Sequence, residues 1–248
     1  MEEEKREERA EESPDAAPVR RGRKTPKEIF SHPSKLRLAN IVVCAAVFVL
    51  LWVMFALVSA GVVPDPYDRR FSYVVTSLLM LAPWLIELIF GIRLSDFVLT
   101  FGVAYALVAG VVCSAFALYK IVPNFDKVVH FAFGYVGSLV GLLIVCKLAN
   151  IRELRPVFVA VVCFAVSMAC GAVWEIMEFV TDLLFAQTAQ GMPVETVTGE
   201  FVTPRDDTML DIVCNFGGAL VYLIHYVIHR ATGRSLLIGA MVEDFSKR

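Results

Sequence analysis

With 248 residues, 57% of them hydrophobic, only 19% charged and a mean hydropathy of +0.65, the chain is too apolar for an ordinary water-soluble domain. Its charges are unevenly spread, and no nucleic-acid module or nucleotide motif is legible, so no nucleic-acid partner is expected. The bilayer is the expected solvent.

In chain order, a polar tail comes first. Its opening, MEEEKREERAEESPD, is rich in glutamate and reads as disordered, whereas the following stretch carries Arg20, Arg21, Arg23, Lys24, Lys27, Lys35 and Arg37. This basic stretch reads mainly as a topology signal, with contact to anionic lipid head groups as its other role. The tail is too long and too acidic at its start for a signal-peptide n-region, so the first hydrophobic run is expected to remain as a helix.

A helix needs ~20 apolar residues to cross a hydrocarbon core of ~30 Å. Six runs reach that length: Ile41 to Val63, Phe71 to Phe90, Phe97 to Tyr119, Val128 to Cys146, Pro156 to Phe185 and Met209 to Ile228. Transmembrane strands would alternate apolar and polar residues over about ten positions, and Ile41 to Val63 shows no such alternation, so the runs read as helices. The expected fold class is an all-α polytopic bundle of about six helices. It would comprise a tail over residues 1–39, a membrane domain over 40–229 with a polar core in 126–221, and a cytoplasmic C-terminal tail over 230–248.

Placing both termini in the cytoplasm leaves only Arg69, Arg70, Lys120, Lys127 and Arg205 of the 23 basic residues in outer loops, in agreement with the positive-inside rule. The six cysteines all lie in apolar spans without a CxxC pair and read as small buried hydrophobes.

The first three spans are nearly free of polar residues, Pro83 and Glu87 being the main interruptions, and are expected to anchor and pack. Glu87 is expected to reach the interface. The last three differ. In the fourth, Asp126, His130, Gly134, Gly137 and Gly141 fall within an arc of about 80° at ~100° per residue. The fifth carries Ser167, Gly171, Glu175, Glu178 and Asp182, and the sixth carries Asp207, Asp211, Asn215, Gly218, Tyr222, His225 and His229. Ionisable residues within spans cost on the order of 2.5 to 3.5 kcal/mol each and face a protein interior or a cavity. The three stripes should therefore face one another, with glycines allowing close approach.

The fifth helix runs opposite to the fourth and sixth, which brings His130, Glu175, Glu178, Asp207, Asp211 and Asn215 to similar depth in the outer half of the bundle. The alternative for the set is a purely structural polar network.

The segments DKVVHFAFGYVGSLVG (Asp126 to Gly141), WEIMEF (Trp174 to Phe179) and DDTMLDIVCNFGGAL (Asp206 to Leu220) resemble the VanZ-like and YjdF-like bacterial integral membrane families over about 95 residues. The resemblance implies a link to the cell envelope and, in some members, to glycopeptide-antibiotic resistance; it supplies no molecular activity. Thr198 to Asp207 matches the closer branch only loosely.

Three readings follow. An outer-leaflet enzyme would use His130, Glu175, Glu178, Asp207, Asp211 and Asn215 to hold a divalent cation, or Glu175, Glu178 and His130 as acid and base, on a lipid-linked substrate. A proton- or ion-coupled transporter would extend the polar path through Tyr222, His225 and His229 to the cytoplasm. A scaffold would use the network only to fix helix register.

Overall fold

The computed structural model describes residues 23–122, 124–190 and 203–246, and the described residues form helices without a strand. Six helical spans are long and apolar enough to cross a membrane: Lys35–Ser59, Arg70–Phe90, Asp96–Ala115, Phe125–Leu148, Pro156–Phe185 and Pro204–Thr232. The all-α six-span expectation therefore holds. The acidic opening of the tail, with Arg20 and Arg21, lies outside the described residues.

Residues 23–39, expected to belong to a disordered tail, are helical in part. A short helix α1 (Pro26–Phe30) begins in a capping box: Thr25 Oγ1 accepts from the Glu28 amide, and Glu28 Oε2 accepts from the Thr25 amide at 2.7 Å. It docks Ile29 in full burial. The first span, α2 (Lys35–Ser59), starts earlier than the apolar run predicts because the Ser34 hydroxyl accepts from the Arg37 amide at 3.0 Å.

The second span is broken. Its first part α3 (Arg70–Leu79) gives way to α4 (Ala82–Phe90) because Pro83 has no N–H for the preceding turn and its ring crowds that turn's carbonyl. The third span begins as α5 (Asp96–Ala106) and continues as a π-helical segment (Leu107–Ala115), where the Thr76 hydroxyl donates to the Gly110 carbonyl at 3.1 Å. A one-turn helix α6 (Leu118–Ile121) leads to the fourth span.

Arg37 and Glu87 are both fully buried and form an ion pair. Glu87 Oε1 also accepts from the Leu94 amide at 2.7 Å, and Arg37 donates to the Leu94 carbonyl at 3.3 Å. Arg37 lies 5.3 Å from the Trp84 ring centroid. Two readings are corrected here: Glu87 does not reach the interface, and Arg37 is an internal cation joining the first and second spans. Arg23 stays exposed and caps the end of α4, donating to the Leu88 and Ile89 carbonyls where that helix ends at Gly91 (φ +58°).

The last three spans are α7 (Phe125–Leu148), α8 (Pro156–Phe185) and α9 (Pro204–Thr232). Thr203 caps α9, accepting from the Asp206 amide at 3.2 Å, so that helix also starts before its apolar run, with two aspartates in its first turn. The three helices meet along the predicted glycine seam. A Cβ at Gly134 would run into the Asn215 carbonyl, and one at Gly218 into the Phe131 carbonyl. One at Gly141 would sit 2.7 Å from the Cys163 Cα, and one at Gly171 would sit 2.7 Å from Asn215 Nδ2.

The two sets of three spans each pack within themselves and share a buried core at the end that carries Arg37, with further contacts through the Tyr105–Phe133 and Phe71–Phe185 ring pairs. There Trp84, Leu99, Leu142 and Leu143 share a core with Ile238 and Met241 of α10 (Leu237–Ser246), which packs on both α5 and α7. Residues 237–246, expected to belong to a C-terminal tail over 230–248, thus form a strap across the bundle.

Gly218→Ala should lower the unfolding temperature in detergent by the equivalent of about 1–3 kcal/mol, because the added methyl meets backbone. Gly102→Ala should leave it near wild type, since its Cβ would meet only Pro83 at 3.6 Å.

Candidate functional site

The polar ends of α7, α8 and α9 converge at the opposite end of the bundle. Asp126, Lys127 and His130 come from the first two turns of α7, Glu175 from α8, and Asp207 and Asp211 from the first two turns of α9. The four- and three-residue spacings that place them on facing stripes also place the glycines beneath them, so backbone approach fixes how near the side chains come.

Lys127 is at the centre. Its ammonium lies 2.9 Å from Asp126 Oδ2, 2.5 Å from Asp207 Oδ1 and 2.9 Å from Asp211 Oδ2, so one cation faces three carboxylates on two helices. Lys127 was expected only as an outer-loop charge. Its partners, four residues apart on α9, are the missed signal.

The His130 ring lies between two further carboxylate groups: Nδ1 is 3.5 Å from Glu175 Oε1, and Nε2 is 3.8 Å from Asp211 Oδ1. One ligand atom from each of His130, Glu175 and Asp211 fits within 4.8 Å of the others, and all three residues are buried. Both Glu175 oxygens and Asp211 Oδ1 are shielded from solvent without a hydrogen-bond partner. A buried acceptor left so costs free energy unless a proton or metal cation meets it. The group Asp126, Asp207 and Asp211 is also spaced for a cation, but the Lys127 ammonium already sits there.

The remaining predicted residues lie elsewhere. Glu178 is about 60° round the helix from Glu175, accepts from Trp174 Nε1 at 2.6 Å and lines a cavity rather than joining the His130 group. Asn215 lies on the seam outside the His130 group: its side-chain N–H donates to the Ser167 carbonyl at 3.4 Å and Met168 Sδ at 3.5 Å, while its Oδ1 is buried without a hydrogen-bond partner. Asp182 accepts from the Ala189 and Gln190 amides and orders the chain after α8.

At the far end, both ring nitrogens of His225 are engaged, with the Tyr135 hydroxyl at 2.6 Å and Ser235 Oγ at 2.9 Å. Tyr222 donates to Cys163 Sγ at 3.5 Å.

The cavity, of about 510 Å³, separates the two sets of spans. Asp126, Lys127, His130, Glu178 and Asp211 reach its site end, and Leu94, Leu143 and Met241 its other end. Lys120 also lines the site end, donating to the Tyr67 carbonyl at 3.2 Å and Thr188 Oγ1 at 3.4 Å. Burial holds its ammonium below the ordinary lysine range.

The fold and this cluster define a multi-pass helical membrane protein that holds ionisable groups inside its bundle. A family model described as a predicted membrane protein (DUF2238) matches residues 44–232, from within the first span to the end of the sixth, and the chain belongs to that family. No curated protein and no solved structure matches the chain.

Lys127→Met should destabilise the protein by about 3–5 kcal/mol, because it strands buried carboxylates without their cation. Thermal unfolding in detergent checks this, and adding Asp207→Asn should recover part of the loss.

Proposed function

We propose that this chain is a VanZ-like cell-envelope protein with both termini in the cytoplasm. On this reading the His130, Glu175 and Asp211 site faces the extracytoplasmic side, binds a divalent cation and acts on a lipid-linked substrate. The observation that carries this reading is the set of buried, unpartnered carboxylate oxygens on Glu175 and Asp211 beside the His130 ring, contributed by three separate helices. The positive-inside balance of the loops supports the orientation. The likeness of the Asp126, Trp174 and Asp206 segments to VanZ-like proteins supports the envelope setting.

One histidine nitrogen with two carboxylate oxygens suits Mn²⁺ or Zn²⁺, and carboxylate-rich ligation also admits Mg²⁺. Such an ion would supply Lewis-acid chemistry toward a phosphoryl group or a water. The chain's own contribution is positional. The glycine seam fixes the three ligands, Lys127 holds Asp211 in place through its second oxygen, and Glu178 stands at the cavity wall within hydrogen-bond reach of Trp174 as the acid–base candidate nearest the apolar space.

A transporter would need mobile polar groups at the cytoplasmic end. There His225 is held on both ring nitrogens, an arrangement that suits a fixed helix contact better than a relay. A scaffold reading is served by the Lys127 cluster but leaves the free oxygens of Glu175 without a role.

Elemental analysis of the purified protein should find about one divalent metal per chain, lost from the His130→Ala, Asp211→Asn double variant. Glu175→Gln should abolish envelope phenotypes while folded protein persists. His225→Ala should leave the metal content unchanged. A stoichiometric metal that survives the double variant would rule out this ligand set.

A further inference from the structure

The cavity between the two sets of spans is apolar along most of its wall and acidic at one end. Asp126, Glu178, Asp207 and Asp211 line that end against Lys120 and Lys127. Both lysines are already engaged. Lys127 holds Asp126, Asp207 and Asp211, while Lys120 donates to the Tyr67 carbonyl and Thr188 Oγ1, with Asp65, Asp68 and Asp182 attracting its charge. Glu178 stands outside these pairs. Its Oε1 accepts from Trp174 Nε1 at 2.6 Å, and among the described residues no donor meets its Oε2.

Aromatic rings stand beside this carboxylate. Trp174 is one turn before Glu178 on α8, and its ring centroid lies 6.4 Å from that of Phe133 on α7, which in turn lies 6.3 Å from that of Tyr105 on α5. The three rings form a continuous strip across both sets of spans, and they line the cavity while only partly buried. Past them the wall is Pro83, Phe101, Val136, Val140 and Leu143. Aromatic faces carry negative partial charge, so rings beside a carboxylate attract a cation and repel an anion. A small hydrated ion would give up its water to such a wall at high cost, whereas a cation shielded by alkyl or aryl groups has little water to lose.

We infer that this cavity binds a lipophilic organic cation of the quaternary ammonium or arylphosphonium class. Its charged centre lies between Glu178 and the Tyr105, Phe133 and Trp174 rings, and its apolar groups lie against Val136 and Val140. Glu178 and the rings are not among the proposed metal ligands, so the two sites stand or fall separately.

The test is equilibrium dialysis of the full-length protein in detergent with radiolabelled tetraphenylphosphonium, and with tetraphenylborate, an anion of the same shape. The phosphonium should bind saturably at about one per chain, and the borate should not. Glu178→Gln should weaken phosphonium binding about tenfold or more, and Glu178→Asp should keep it within about threefold of wild type. Phe133→Leu should weaken it about threefold or more through loss of one ring face. Ala106→Trp, which fills the cavity from the other set of spans, should abolish it. Each variant is checked for wild-type elution. Benzyltrimethylammonium should displace the phosphonium, and its uncharged carbon isostere, neopentylbenzene, should not.

Borate bound as tightly as phosphonium, equal displacement by the ammonium and its isostere, or phosphonium binding unmoved by both Glu178→Gln and Ala106→Trp would overturn the cation site. Dialysis repeated in EDTA separates the two sites. Phosphonium binding that persists in protein stripped of metal leaves the cation site standing whatever becomes of the metal, and a metal-loaded protein that binds no phosphonium loses the cation site alone.

Discussion

Within an apolar bundle the cost of a buried charge governs where every other polar group can go. Five carboxylates at the site end, Asp126, Glu175, Glu178, Asp207 and Asp211, would not tolerate one another without compensation. Lys127 supplies it for three of them by reaching from α7 to α9. The interaction is affordable only because the glycine seam below lets α7 and α9 come into backbone contact at Gly134 and Gly218. Close packing and charge pairing are therefore one constraint: relax the seam and the ammonium no longer spans the gap.

The same logic operates at the other end with different residues. Arg37 and Glu87, both fully buried, tie the first two spans together, and the Glu87 carboxylate also fixes the turn into the third by accepting from Leu94. Each half of the molecule thus has its own ionic lock, placed at opposite ends of the bundle. Among the described residues the halves share their buried core near α10 and touch elsewhere through the Tyr105–Phe133 and Phe71–Phe185 ring pairs, with the cavity between these contacts. The ionisable cluster thus belongs to one half, while the apolar wall of the cavity is shared with the other.

Glu175 and Glu178 illustrate how far a stripe can be read. Both lie on the polar face of the fifth span, yet the 60° between them sends one to the His130 ring and the other to Trp174 and the cavity. Asn215 continues the Asp211 stripe one turn further, and there the backbones are so close that its side-chain N–H goes to the Ser167 carbonyl and the residue stands outside the His130 group. A helical stripe specifies a direction to within tens of degrees, and ligand geometry needs finer resolution than that.

The sequence alone determined the six spans, because runs of apolar residues of bilayer length admit few other structures, and it determined the facing of the last three helices, because buried polar and glycine residues repeat with the helical period. It also offered His130, Glu175, Glu178, Asp207, Asp211 and Asn215 as candidates, without separating the three that lie within 4.8 Å from the rest. Tertiary structure decided what those periodicities do not encode. Lys127 and Arg37 read as surface charges by position, and only the fold shows them paired inside. The helix Leu237–Ser246 reads as a tail until Ile238 and Met241 find their core. The cavity was invisible because a valine facing lipid, a neighbouring helix or an empty channel is the same letter; which of the three it faces depends on the separation of two packed halves, a distance that no local pattern carries.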